Sequence, residues 1–244
     1  MVNTTVICAV WSKDPNRYEL LKQHEENLNL QTVDIERIYV FDCGDSPPQF
    51  LTGKKIISSE PLSIYEAWNL AITACKTVFI MNLNLDDRLN IDAIEQLEIE
   101  ITKTGANLVG GDWKICYSQD ATNSVTASFP VNLIPFIKEW PPTKGTVTRL
   151  GSGTGESATF GPATLWNINC HIKIPRYPFR TADGVLIKSV ADSIYWTMLK
   201  NSFHLKLHRL PLIIGNYNSH PEDQAEFRNR EDVYEIIKKG VSLL

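Results

Sequence analysis

The chain has no long apolar run, no paired cysteines and no block of basic residues, and each absence closes a class of function. Nothing approaches the ~20 apolar residues that a membrane-crossing helix needs. The five cysteines, Cys8, Cys43, Cys75, Cys116 and Cys170, are odd in number and scattered. No Cys-x-x-Cys spacing marks a zinc site, and they read as reduced packing thiols of a cytosolic protein. The net charge of −4 comes from mixed charges without a cluster of Lys and Arg. Phosphate-backbone binding needs such a cluster, so nucleic acid is excluded as the main partner. No Gly-x-Gly-x-x-Gly opens the first helix, which disfavours a dehydrogenase. Trp11-Ser12-Lys13-Asp14, after the first strand, has no glycine, which disfavours a sugar nucleotidylyltransferase. Met1-Val2-Asn3-Thr4-Thr5 lacks the basic start of a secretory signal, and the expected location is cytoplasmic.

What is present suffices for a full core: 244 residues, 43% of them hydrophobic. Val6 to Val10 is a short apolar run that predicts a strand buried on both faces. Asp14-Pro15 reads as a helix cap followed by proline at the first helical position. That helix carries Tyr18, Leu21 and Leu28 at roughly helical spacing. Ile35 to Phe41 is a second strand, followed by the turn Asp42-Cys43-Gly44-Asp45, and a short strand lies near Lys55 to Ile57. Ser63-Ile64-Tyr65-Glu66 is a capping box opening the helix Ile64 to Cys75. A further strand, Val78 to Leu83, precedes a helix from about Ile91 to Thr102 that buries Ile94, Leu97 and Ile101 and stops at Gly105. Asn107 to Gly110 starts another strand that extends toward Cys116. The alternation predicts an α/β domain with a mainly parallel central sheet flanked by helices.

From Tyr117 to Ala158 the periodicity fails, and so long an irregular segment in a compact domain predicts a functional loop or lid. Its Gly151-Ser152-Gly153-Thr154-Gly155 cluster reads as a hinge or turn. Gly161 to Trp166 looks like the start of a short helix. A helix is expected over Ser189 to Asn201, a strand over His204 to Leu210, and a charged helix over Pro221 to Lys239.

The stretch with most chemistry is Val78-Phe79-Ile80-Met81-Asn82-Leu83-Asn84-Leu85-Asp86-Asp87-Arg88. A buried strand ends here in three oxygen-bearing side chains, on the edge where open α/β sheets bind ligands. Two adjacent carboxylates repel unless a cation or hydrogen-bond donors lie between them. Oxygen ligands suit Mg²⁺ or Mn²⁺, which takes one or two carboxylates and fills its other positions with water and phosphate. The alternative is a pair of solvated loop acids.

The order of these features resembles the family 2 glycosyltransferases, which have the nucleotide-sugar-binding fold called GT-A. It is carried by the apolar first strand, Val40-Phe41-Asp42-Cys43-Gly44-Asp45, Ala67-Trp68-Asn69 and Asn84-Leu85-Asp86-Asp87-Arg88. It covers Val6 to Trp113 and resumes at Gly161 to Trp166 and at Ala191-Asp192-Ser193-Ile194-Tyr195-Trp196. The resemblance implies a single GT-A-type domain, with residues 1–116 as the nucleotide-sugar-binding half and 117–244 as the acceptor-binding half. It implies an inverting, metal-assisted hexosyltransferase-like enzyme acting on a glycan or other hydroxyl acceptor.

Residue roles follow by the same resemblance. Asp42 would accept a hydrogen bond from the donor's base; its rival role is an Asx-turn. Trp11 would wrap the nucleotide, or else is a core or lip aromatic. Asn69 would lie near the donor, or is a solvated helix residue. Asn84 stands where the family's Asp-x-Asp motif has its first acid; it can bond a ribose hydroxyl but adds no charge. Asp86 would bind the Mn²⁺ or Mg²⁺ on the donor diphosphate, with Asp87 supporting it in the metal site. Asp192 would be the general base, although Ser189-Val190-Ala191-Asp192 also fits a capping box. His220 could approach the diphosphate or be a surface neighbour of the helix start. Ala191 stands where the family often has an acid. With Asn84 it supports a competing expectation, a non-catalytic protein of the same fold that binds nucleotide sugar or glycan.

Overall fold

The computed structural model describes residues 2–116, 164–187, 191–203, 205–218 and 233–242. Its elements are β1 (Thr4–Val10), α1 (Arg17–Asn29), β2 (Glu36–Phe41), β3 (Lys54–Ile57), α2 (Ile64–Ala74), β4 (Phe79–Asn82), β5 (Arg88–Leu89), α3 (Ala93–Thr104) and β6 (Leu108–Cys116). The later segments add β7 (Leu165–Asn167), α4 (Cys170–Lys173), β8 (Arg180–Thr181), α5 (Ala191–Phe203), β9 (Leu207–Asn218), α6 (Val233–Lys239) and β10 (Val241–Ser242).

Among the described residues, eight strands form one sheet in the order β3-β2-β1-β4-β7-β6-β9-β5. The β1–β2, β1–β4, β2–β3 and β6–β9 pairs are parallel. The pairs of β4 and β6 with β7, and of β5 with β9, are antiparallel. Thus residues 117–244 contribute β7 and β9 to the same sheet as residues 1–116. A small antiparallel pair, β10 with β8, lies apart from it.

The strands alternate between two apolar layers, as a sheet covered on both faces requires. Ile7 and Ile38 join Trp68, Ala71 and Ile72 of α2 and Ile194 and Leu199 of α5. On the other face Val6 and Met81 pack with Leu28 of α1 and Ile94, Leu97 and Ile101 of α3. Local signals account for most boundaries. Ser63 and Glu66 form the reciprocal capping box at the start of α2. α3 ends at Gly105, whose φ of +61° is the left-handed conformation glycine adopts without a Cβ clash. Gly111 is required by proximity, since a Cβ there would meet the Ile214 side chain at 2.5 Å.

Two expectations are corrected. α1 begins at Arg17, not at the Asp14-Pro15 cap, because the Asp14 carboxylate instead accepts the N–H of Asn16 and holds a turn. Leu165-Trp166 starts no helix: β7 fills the gap between β4 and β6, and Trp166 is fully buried. Its ring meets Trp196 edge-on at 5.5 Å. Such pairs contribute about 0.5–1.5 kcal/mol beyond burial, and helical spacing holds no trace of them. The Tyr117 to Ala158 segment, the glycine cluster, Gly161 to Ala163, Ser189, His204 and His220 lie outside the described residues.

Candidate functional site at the C-terminal edge of the parallel strands

β1, β2 and β4 run parallel and side by side, so Trp11, Asp42 and Asn84 leave the sheet at one edge. Their registers, Val10 opposite Phe41 and Ile7 opposite Asn82, align the three ends. Packing draws them closer. Leu85 is buried with Val10 and Phe41, the last residues of β1 and β2, and pins the Asn84–Asp86 loop beside both strand ends. The backbone N–H of Ser12 donates to Asp42 Oδ1 at 2.8 Å, tying the two neighbouring loops.

Asp86 is half-buried, whereas Asp87 and Arg88 are completely enclosed. The Arg88 guanidinium turns inward, donating to the carbonyls of Leu85 and Asp87, both at 2.7 Å, and to Gln23 Oε1 at 2.8 Å. Loss of hydration pushes it down to about 10, opposed by the charges of Asp86 and Asp87. Arg88 therefore supplies part of the compensation the paired carboxylates need. Asn27 completes the support, its amide exchanging two hydrogen bonds of 2.9 Å with the backbone of Leu89. Periodicity missed Gln23, Asn27 and Arg88. The one available signal was polar residues on a helix face that should be apolar.

Asp42 is buried, and its carboxylate does not form an Asx-turn, because the Gly44 N–H goes to the carbonyl of Ser58 at 2.7 Å. Cys43 (φ +53°) and Gly44 (φ +69°) are both left-handed. For Cys43 that is a strained state, of the kind that collects at functional sites. Trp11 is 58% exposed, so it is no core aromatic and stands at the lip. Asn69 is engaged elsewhere. Its Nδ2 donates to the Tyr177 carbonyl at 2.9 Å and its Oδ1 accepts the Tyr177 N–H at 2.8 Å.

Asp192 lies in the first turn of α5 and accepts the Ser193 N–H at 2.8 Å. The Tyr65 side chain favours the charged form of this carboxyl. Tyr65 is in the first turn of α2, the helix that follows the parallel strand β3, so its end of α2 faces the same sheet edge. α5 leads into β9, which runs in the direction of β6 and β4, so the first turn of α5 with Asp192 faces the same edge. Burial pushes the Asp192 carboxyl up to about 6, against the pull of its backbone donors and of Tyr65.

No protein-family profile and no curated protein matches the sequence. Solved structures do match in shape. Residues 1–349 of S. aureus TarS in complex with UDP superpose with a TM-score of 0.63 at 15% identity, over 98% of this chain and 64% of that one. The same protein with UDP-GlcNAc gives 0.62 at 14% identity, over 97% and 65%. The mannosyltransferase PcManGT from Pyrobaculum calidifontis, in complex with GDP-Man and Mn²⁺, gives 0.53 at 12%, over 88% and 56%. The fold is of the GT-A type. The chain spans less than two thirds of the length of these structures.

Whether a GT-A site of this make could hold a divalent ion is a question of its donors. Among the described residues no three or more His, Cys, Asp or Glu side chains gather into a metal cage. Asp86 is the partly exposed acid of the loop, with Asn84, also half-buried, beside it. That set fits Mg²⁺ or Mn²⁺, which keeps most of its coordination for water and phosphate. It does not fit an ion held by protein alone.

Proposed function

We propose that the chain is an inverting glycosyltransferase of the family 2 kind, moving a hexosyl group from a nucleotide-diphosphate sugar to a hydroxyl acceptor. The observation that carries this reading is the half-buried Asp192 carboxyl, pushed up to about 6, in the first turn of α5, the helix that leads into the parallel strand β9. A base titrating there is largely ionised at neutral pH yet still basic enough to take a proton in the transition state. Asp42 accepts a hydrogen bond from the donor's base, Trp11 covers the nucleotide from the lip, and Asn84 bonds a ribose hydroxyl. Asp86, backed by Asp87, would hold a divalent ion against the diphosphate, which offsets the charge of the departing group.

Asp192 takes the acceptor's hydroxyl proton while the acceptor oxygen bonds the anomeric carbon and the bond to the diphosphate breaks. Asn69 acts indirectly, through Tyr177. Residues 1–116 supply the donor side, and 117–244 supply Asp192 and the acceptor side. A second reading, a binding protein of the same fold, draws on Asn84 and on Ala191, whose methyl is completely buried.

The test is a thermal-shift comparison of parent and Asp86→Ala with UDP-GlcNAc and GDP-mannose, with and without Mn²⁺. A ligand at 100 times its Kd stabilises by about 2.7 kcal/mol. The expected result is a Mn²⁺-dependent rise in the parent that Asp86→Ala loses, with its ligand-free Tm unchanged. Equal rises in both proteins would remove Asp86 from the site.

A further inference from the structure

Trp11 and Asp42 each stand at the head of a tight turn, and one ion pair joins the far ends of the two turns. After β1 the N–H of Asp14 donates to the Trp11 carbonyl at 3.1 Å, and after β2 the N–H of Asp45 donates to the Asp42 carbonyl at 3.0 Å. Arg17, the first residue of α1, holds the carbonyl of Asp14 through Nη1 at 3.1 Å. Its Nε and Nη2 donate to the two carboxylate oxygens of Asp45 at 2.6 and 3.2 Å. The Tyr18 hydroxyl adds a bond to Asp45 Oδ1 at 2.8 Å, and the guanidinium lies 4.3 Å from the centre of the Tyr18 ring. The near ends of the turns are tied by the bond from the Ser12 N–H to Asp42 Oδ1. Two loops fastened at both ends have little freedom to part.

We propose that Arg17 and Asp45 are a positioning pair, which fixes the turns of Trp11 and Asp42 against each other and so forms the nucleotide slot before a nucleotide arrives. This rests on the donor-site reading made above. A guanidinium and a carboxylate joined by two bonds fix direction as well as distance. Their side chains are only 20% and 11% exposed, so salt screens the pair less than it screens an ordinary surface ion pair. Helix stability does not select arginine at this position, because a cation in the first turn works against the helix dipole. Asp45 offsets that charge from the neighbouring loop. Cys43, between Asp42 and Asp45, is held at φ +53°, a strained state that persists only while its surroundings enforce it. A loop ordered in advance needs no further ordering on binding, and the difference appears as affinity.

Arg17→Met and Asp45→Asn remove one charge each and keep most of the side-chain bulk. The measurements on the full chain are calorimetric titration with UDP and with GDP, and amide hydrogen exchange without nucleotide. Each variant should bind the nucleotide that the parent binds about three- to tenfold more weakly. The double variant should be no weaker than either single one, because the same interaction is lost in all three. The N–H groups of Ser12 and Asp14 should lose protection about tenfold while those of β1 and β2 keep theirs, a pattern that a general loss of stability does not produce. Either variant decides the matter should the other fold poorly. Unchanged protection at Ser12 and Asp14, or an unchanged Kd, overturns the proposal. A parent that binds neither nucleotide would instead remove the donor-site reading, and the exchange data alone would then decide whether the pair fixes the loops.

Discussion

At the scale of single residues, Asp192 carries the sharpest consequence. Asn in its place keeps the shape and can still accept the Ser193 N–H, but it cannot take a proton. Removing a general base typically costs about 10²–10⁴-fold in rate. Asp192→Asn should therefore lower kcat by that order with donor Kd and Tm nearly unchanged, read by turnover, titration and melting on the same preparation. Unchanged turnover would remove Asp192 from the chemistry. Asp42 and Asp86 were legible because each follows an apolar strand, and a strand end is a local signal. The enclosure of Asp87 and Arg88 was not legible, since nothing within a few residues distinguishes a buried ion from a solvated one.

At the scale of elements, α1 and α2 do more than cover the sheet. The buried Gln23 and Asn27 of α1 brace the acidic loop from behind, which explains why this helix face is polar where packing alone would select leucine. On α2, Asn69 replaces a missing strand partner for Tyr177 by satisfying both of its backbone groups. Asn69→Ala leaves that donor and acceptor unsatisfied in a tightly packed aromatic region. The expected cost is about 2–4 kcal/mol of stability from the two lost bonds, measured by urea denaturation, with a lower Tm and a weakened contact between Tyr177 and Tyr65. A loss below about 0.5 kcal/mol would mean that water replaces the amide without penalty. The residue's place on α2 was visible in the sequence; its partner, 108 positions away, was not.

At the scale of the molecule, two buried histidines set the acid response. His171 Nε2 accepts the Trp166 indole N–H at 3.1 Å, so that nitrogen carries no proton, and its Nδ1 faces the Tyr195 hydroxyl at 2.9 Å. Burial pushes His171 down to about 4 and His24 down to about 3. Both fall below the unfolded value of about 6.5, so the unfolded chain binds more protons between those limits. Their stabilising contribution is complete above pH ~6.5 and declines as the pH falls toward 4. Asp192, pushed up to about 6, has the opposite slope, because its native carboxyl binds a proton before the unfolded one does. Two slopes outweigh one, and stability should drop by about 2 kcal/mol from pH 7 to pH 5. Chemical denaturation at the two pH values checks it; equal stability would mean that one of the histidines is charged in the fold.

The same whole-molecule view separates what the linear chain determined from what only folding decided. The sequence by itself set the order of strands and helices through Phe41, the Ser63–Glu66 cap and Gly105. It also placed Asp42, Asn84 and Asp86 just past strand ends, because apolar period, capping and turn chemistry act over a few neighbouring residues. The insertion of Leu165–Asn167 into the middle of the sheet, the polar underside of α1 and the Asn69–Tyr177 clamp were decided by the tertiary structure alone. Each depends on desolvation and on partners far away in the chain, and a side chain's charge, orientation and basicity are properties of the environment those partners build.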